Sequence, residues 1–189
     1  MAWTTPGTAT AGEVLTAAFW NEQVRDNLQA VYTNFASDSK IDTQSTSVAA
    51  GATTTVTGLS ISHAVASASN YVVLLSSVQL GSPSTADSRG FGLNILAGGS
   101  TVTGWVPAAA GSRSTVFSKS TNLHTIQMSC LVAMAVYTPG STSPVTYGVQ
   151  LKNVSSSTTT VYVNYCQTDG NAAEWPRGAS GLFLWEFGG

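Results

Sequence analysis

The chain has 189 residues and a formal net charge of −2, and only 8% of its residues are charged, against about 25% in ordinary globular chains. Its seven basic residues are spread from Arg25 to Arg177, which gives no concentrated positive patch and excludes nucleic acid as a partner. No apolar run approaches the roughly 18 residues of a membrane-spanning helix, so no membrane partner is expected. A surface built mainly from Ser, Thr, Gly, Ala and Asn repels its neighbours weakly, which suits permanent assembly better than life as a dilute enzyme.

Residues 1–15 hold Thr, Pro and Gly and read as an extended arm, with Trp3 as the residue able to anchor it. The next stretch has a helical period. Thr16 suits an N-cap, since its hydroxyl can accept from an amide of the first turn. Leu15 and Trp20 have the spacing of a hydrophobic staple. Trp20, Val24, Leu28, Val31 and Phe35 then recur at intervals of four, four, three and four, the stripe of one helix face. Glu22 and Arg25 can meet on another face. These signals predict a helix from Thr16 to about Ser37. One apolar stripe cannot bury itself, so it must lie on its own domain, on a copy of itself, or on something else.

The same segment carries a resemblance. Trp3-Thr4 near the start, Gly12-Glu13 before the helix, then Trp20-Asn21 and Val24-Arg25-Asp26-Asn27 resemble the N-terminal segment of tailed-bacteriophage virion proteins of the minor tail, fibre and head-decoration kinds. The resemblance covers residues 1–32 and implies a virion component assembled in the host cytoplasm. The N-terminus lacks the basic start and apolar block of a secretory signal, which agrees with that compartment. On this reading Trp3 and Trp20 anchor the chain to the virion. Glu13, Arg25, Asp26 and Asn27, with Glu22, fix its orientation by hydrogen bonding.

Asp38 to Ala52 is polar and rich in Ser and Thr, and reads as a linker. The organisation expected is therefore an arm and helix over 1–37, a linker over 38–52, and a β domain over 53–189. From Thr53 onward, short β-branched and aromatic runs alternate with turn residues. Strands are expected at Thr53–Thr57, Tyr71–Leu80, Gly90–Leu96, Thr101–Val106, Thr115–Ser118, His124–Tyr137, Val145–Lys152, Thr159–Cys166 and Leu182–Phe187. This spacing predicts a mainly β fold, an antiparallel β sandwich. Val145, Tyr147, Val149 and Leu151 share one face of a strand, and Val161, Val163 and Tyr165 one face of the next. Asn153–Thr158 between them reads as a hairpin connection. The last strand is apolar on both faces, with Phe183, Trp185 and Phe187 on one and Leu182 and Leu184 on the other. Only Glu186 is polar. A strand of that kind is covered on both sides, and in a two-layer fold the second cover comes from another molecule, from the helix or from a long loop.

The count of strands and the closing apolar strand also resemble the trimeric, tumour-necrosis-factor-like jelly rolls of phage fibre and head-protein tips. That resemblance implies a homotrimer with Phe183, Trp185 and Phe187 at its axis.

Little in the sequence suggests catalysis. His63 and His124 stand alone, Gly178–Gly181 has the wrong spacing for a nucleophile elbow, and His and Cys spacing supports no zinc site. Gly90-Phe91-Gly92 reads as a pair of strand glycines that permit close packing. Asp169, Asn171 and Glu174 offer fewer oxygens than the roughly six to eight that calcium takes. No metal or cofactor is expected. Cys130 and Cys166 lie in strand-like runs, and in a cytoplasmic product the default is a buried free thiol. Trp105 and Trp175 sit beside prolines in loops, where they either stack on a host glycan or pack under their own loops. The sequence thus points to a structural virion protein, a capsid decoration or head fibre. A minor tail or fibre protein that touches host glycan is the alternative. A depolymerase fits less well, since no acid pair or base stands out.

Overall fold

In the computed structural model, residues 16–28, 34–81, 90–108, 115–121, 128–167 and 177–188 are described. Thr16 caps the helix as its spacing predicts, its Oγ1 accepting from Phe19 N at 3.2 Å. The α-helix α1 covers only Ala17–Trp20, and the chain continues in wider π-helical turns over Asn21–Asp26.

The expected helix does not reach Ser37, because Phe35–Lys40 is strand β1 and pairs antiparallel with the last strand. The expected linker is also strand, since β2 covers Gln44–Val48. Side chains explain both corrections. Asp38 Oδ2 accepts from Ser60 N at 2.8 Å, and the Gln44 amide bonds Thr55 O at 3.0 Å and Thr57 N at 2.9 Å. These polar residues close one side of the sandwich by bonding to the backbone of the facing sheet. A run without apolar alternation can be an edge strand when its polar groups find such partners.

Strand β3 covers Thr53–His63, longer than expected, because a bulge between Thr55 and Ser60 carries Gly58 at φ +76° and shifts the inward set from Val56 to Leu59 and Ile61. The remaining strands are β4 (Tyr71–Gly81), β5 (Gly90–Ala97), β6 (Ser100–Thr101), β7 (Ser118–Thr121), β8 (Ser129–Tyr137), β9 (Val145–Asn153), β10 (Thr159–Val163) and β11 (Ser180–Phe187). Gly98 and Gly99, both at positive φ, make the tight β5–β6 turn. Where a strand was expected over Thr101–Val106, the chain leaves β6 for a 3-10 turn at Thr103–Trp105. The strand expected at Thr115–Ser118 begins at Ser118 instead.

The strands form two antiparallel sheets. The first has the order β1-β11-β4-β10-β2, with β8 on the far edge of β4. The second has β3-β9-β5-β6, with β7 also on β5. Taken as β1, β3, β4, β5, β7, β8, β9 and β11, the first sheet reads first, eighth, third, sixth. The second reads second, seventh, fourth, fifth. That is the strand order of a jelly roll. The core between the sheets is built from Val72, Leu74, Val78, Leu131 and Leu184 on one side and Phe91, Leu93, Ile95, Val149 and Leu151 on the other.

Strands β9 and β10 do not pair, contrary to the hairpin expected for them; β9 lies in the second sheet and β10 in the first. The corner between them is built by Asn153, which is fully buried. Its Nδ2 donates to Val48 O at 2.7 Å and Ser157 O at 2.9 Å, and its Oδ1 accepts from Ser155 Oγ at 2.6 Å.

Strands β10 and β11 act as one interrupted strand. Thr159 to Val163 pair with Val48 to Gln44, and Ser180 to Trp185 pair with Lys40 to Phe35, so one antiparallel alignment runs through both. The interruption starts at Asn164, buried and at φ +68°. Asn164 Nδ2 donates to Lys40 O at 2.7 Å and Asp42 O at 3.0 Å, while its Oδ1 accepts from Ser180 Oγ at 2.6 Å. Gly178 N donates to Asn164 O at 3.0 Å, and a bridge between Tyr165 and Arg177 closes the neck of the excursion.

Asn164 therefore holds both halves of the interrupted strand to β1 and β2. Asn164→Gly keeps the backbone freedom but leaves those buried partners unsatisfied, and should cost about 3 kcal/mol in urea unfolding. Asn164→Ala should cost about 1 kcal/mol more, because it adds left-handed strain.

Candidate functional site

Strands alternate between faces, and in β4, β8 and β11 both sets are apolar. The inward set is core. The outward set forms rows across the first sheet, fixed by the strand register. Phe35, Trp185, Val73 and Val136 make one row, and Ser37, Phe183, Leu75 and Met134 the next. Phe187 stands opposite Tyr71, and Val132 opposite Ser77. The rings pack on one another. Phe35 and Trp185 have centroids 5.3 Å apart, Phe183 and Trp185 stack at 6.1 Å, and Tyr71 and Phe187 stack at 5.5 Å. Gly181 gives the Phe183 ring its place, since a Cβ there would lie 3.0 Å from the ring edge.

The face stays open to solvent within one chain: Phe35 is 42% exposed, Phe187 45%, Met134 48% and Val132 52%. Contiguous apolar faces, unlike scattered single side chains, are what interaction surfaces typically present. Phe183, Trp185 and Phe187 thus share one face as their spacing requires, and Phe35 joins them from β1 instead of lying on the helix stripe. The outer face of the second sheet is different in kind. There Thr53, Thr55, Ser60 and Ser62 of β3 stand beside Lys152, Gln150, Gly148 and Thr146 of β9.

The helical segment also leaves its stripe open, with Trp20 57% and Leu28 58% exposed and Val24 half-buried. Arg25 Nε pairs with the neighbouring Asp26 Oδ1 at 2.9 Å in place of the expected Glu22. Asn27 is buried. Trp3, Glu13, Val31 and Trp175 lie outside the described residues, and Trp105 ends the 3-10 turn after β6.

A polar cluster underlies one end of the apolar face, and the sequence reading missed it. Glu186, buried on the inward side of β11, receives hydrogen bonds from Asn70 Nδ2 at 2.6 Å and Ala66 N at 2.7 Å. His63 Nε2, from β3 of the other sheet, lies 2.8 Å from Glu186 Oε2. Burial raises the Glu186 carboxyl, but these bonds from Asn70, Ala66 and His63 outweigh it and hold the group below its ordinary value of 4.5. Tyr147 lies fully buried nearby with Tyr137 at its ring edge, 6.1 Å between centroids, and desolvation pushes its hydroxyl up to about 12. The signal for this cluster was in the sequence. A lone acid in an apolar strand must find donors, though which ones, here Asn70, the Ala66 amide and His63, only the fold decides.

The chain matches no family model and no curated protein sequence. Solved structures give distant likenesses. The structure of infectious bursal disease virus, Gt strain, is 14% identical with a TM-score of 0.42, over 82% of this chain and 38% of that one. The VP2 subviral particle of the same virus is 13% identical with a TM-score of 0.40, over 80% of this chain and 36% of that one. The chain spans under two-fifths of the length of these structures.

Cys130 and Cys166 are not joined in a disulfide, and Cys166 is buried as expected. Cys130 is exposed instead, because it falls on the outward set of β8, where its Sγ lies 3.2 Å from Ser77 Oγ. A thiol reagent should therefore titrate Cys130 alone in the dissociated native chain and both thiols after unfolding. Reducing agent should leave the melting temperature unchanged, whereas a large drop would reveal a disulfide.

Proposed function

We propose that this chain is a structural protein of a tailed-phage virion, a homotrimeric capsid decoration or head fibre. In this reading the outer face of the first sheet joins the copies, and the N-terminal segment attaches them to the virion. The observation that carries the assembly role is the apolar face of Phe35, Phe183, Trp185, Val73, Leu75 and Met134, which no part of the described chain covers. The resemblance of residues 1–32 to tailed-phage virion proteins supports the virion. The jelly-roll strand order is compatible with threefold packing through the sheet that carries the last strand. A minor tail or fibre protein that binds host glycan through Trp105 and Trp175 is the second reading. Antibody-fragment labelling of virions, viewed by negative stain, separates head from tail.

Light scattering should give about three times 19.5 kDa, and a monodisperse monomer would overturn the trimer. Trp185→Ala, half-exposed in the single chain, should leave the fold cooperative but weaken assembly by about 2 kcal/mol or more. Met134→Asp should do the same by placing a charge in the contact.

A second experiment concerns attachment. Since β1 begins at Phe35, the informative truncation removes residues 1–33 and spares the strand. It should leave a soluble, cooperatively melting β protein that no longer adds to virions lacking this protein. Aggregation, or melting without a transition, would instead place the helix in the core.

A further inference from the structure

We infer that Glu186 is a proton-operated clasp: ionised, it locks the loop before β4 against the end of the apolar face, and protonated, it loosens that hold. The inference rests on the assembly reading only for its consequence, not for its geometry.

Three structures meet at this residue. Its carboxylate holds the 64–70 loop twice, through Ala66 N at 2.7 Å and Asn70 Nδ2 at 2.6 Å. Its backbone N–H donates to Asn34 O at 2.8 Å, the residue before β1. Its two neighbours in β11, Trp185 and Phe187, point to the outer face, and Phe187 stacks on Tyr71, the residue after Asn70. A single inward carboxylate thus sets the position of the ring pair at one end of the face.

The groups that face it fix the direction of the response. From β3 comes His63, from the 64–70 loop Asn70 and the Ala66 amide, and from β9 the Tyr147 hydroxyl, with Tyr137 of β8 beyond it. The described neighbours in hydrogen-bond contact therefore all donate to the anion. His63 can do so neutral or protonated, and when protonated it adds an ion pair. Ala66 and Asn70 share Oε1 while His63 meets Oε2, so a carboxyl protonated on Oε2 still accepts from the loop. As a neutral group it accepts more weakly than the anion, and neutralising Glu186 loosens the clasp. The group is held below its ordinary value of 4.5, so its contribution is complete above that value. It is lost as pH falls through the depressed value in the folded chain.

The test is hydrogen exchange of the Ala66 amide and the 64–71 segment, corrected for the intrinsic pH effect, on the full chain. Protection should be flat above about pH 5 and fall below it, by at most about tenfold for each unit of depression of the carboxyl. Glu186→Gln keeps the size and one acceptor but cannot titrate, so its protection should show no such step. His63→Ala removes one donor and should move the step to higher pH. The inference fails if wild-type protection is the same in acid and at neutral pH, or if Glu186→Gln retains the step. Light scattering on the same samples reads the assembly separately. A chain that is monomeric at neutral pH yet shows the step overturns the assembly reading and leaves the clasp standing. A trimer without the step does the reverse.

Discussion

The constraint on which this molecule depends is the period of two in β4, β8 and β11, which sends successive side chains to opposite faces of the first sheet. A sequence apolar at consecutive positions cannot satisfy that period with one core. Leu182 and Leu184 enter the core, and Phe183 and Trp185 must then face away from it. The neighbouring strands are written the same way, with Leu74 inward beside Val73 and Leu75 outward, and Ala133 inward beside Val132 and Met134 outward. A register slip of one residue would ordinarily be resisted by polar outward residues. Over much of this sheet little such resistance exists. The register is set instead by polar side chains that bond to the backbone of other strands.

Those side chains are amides and hydroxyls more than ion pairs. Asn153 builds the corner between the sheets, Asn164 the junction where β10 gives way to β11, and Gln44 and Asp38 the seam to β3. Each fixes a backbone geometry that regular pairing cannot supply. Asn164 does so at a positive φ that Asn tolerates better than most residues. A chain with 8% charged residues still needs directional contacts, and it draws them from groups that cost less to bury than ions do. The one buried acid among the described residues with such a network, Glu186, is surrounded by donors for the same reason.

This pattern explains what was legible in the sequence. Strands such as β4, β9 and β11 could be read because their apolar residues recur along the chain, and so could the Thr16 cap and the two-faced character of Phe183 to Phe187. The edge strands β1 and β2 could not, because what makes them strands is the seam to β3 and the pairing with β10 and β11, both distant in sequence. A Ser/Thr-rich run bonded through Asp38 and Gln44 looks like a linker until its partners are placed. The corner at Asn153 resembled a hairpin because adjacent alternating runs give no sign of whether they join one sheet or two. The mistaken length of the helix has a simpler cause. Phe35 falls on the helical period by chance while belonging to the strand period, where it meets Trp185.

The two outer faces of the sandwich then decide how copies could meet. Along β3 and β9 the second sheet presents Thr53, Thr55, Ser60 and Ser62, hydroxyls that water satisfies, so little drives that part of it toward a partner. The first sheet presents rings and aliphatic side chains over several strands, and its exposure is the larger cost in a single chain. Few charges surround that face to steer an approach, so its contacts would form slowly and depend little on salt. Burial of apolar area would then control the lifetime of the contact, and each ring withdrawn from water would lengthen it. A surface that is slow to pair and slow to part suits a component laid down once in an assembly, and it suits a freely exchanging binding partner poorly.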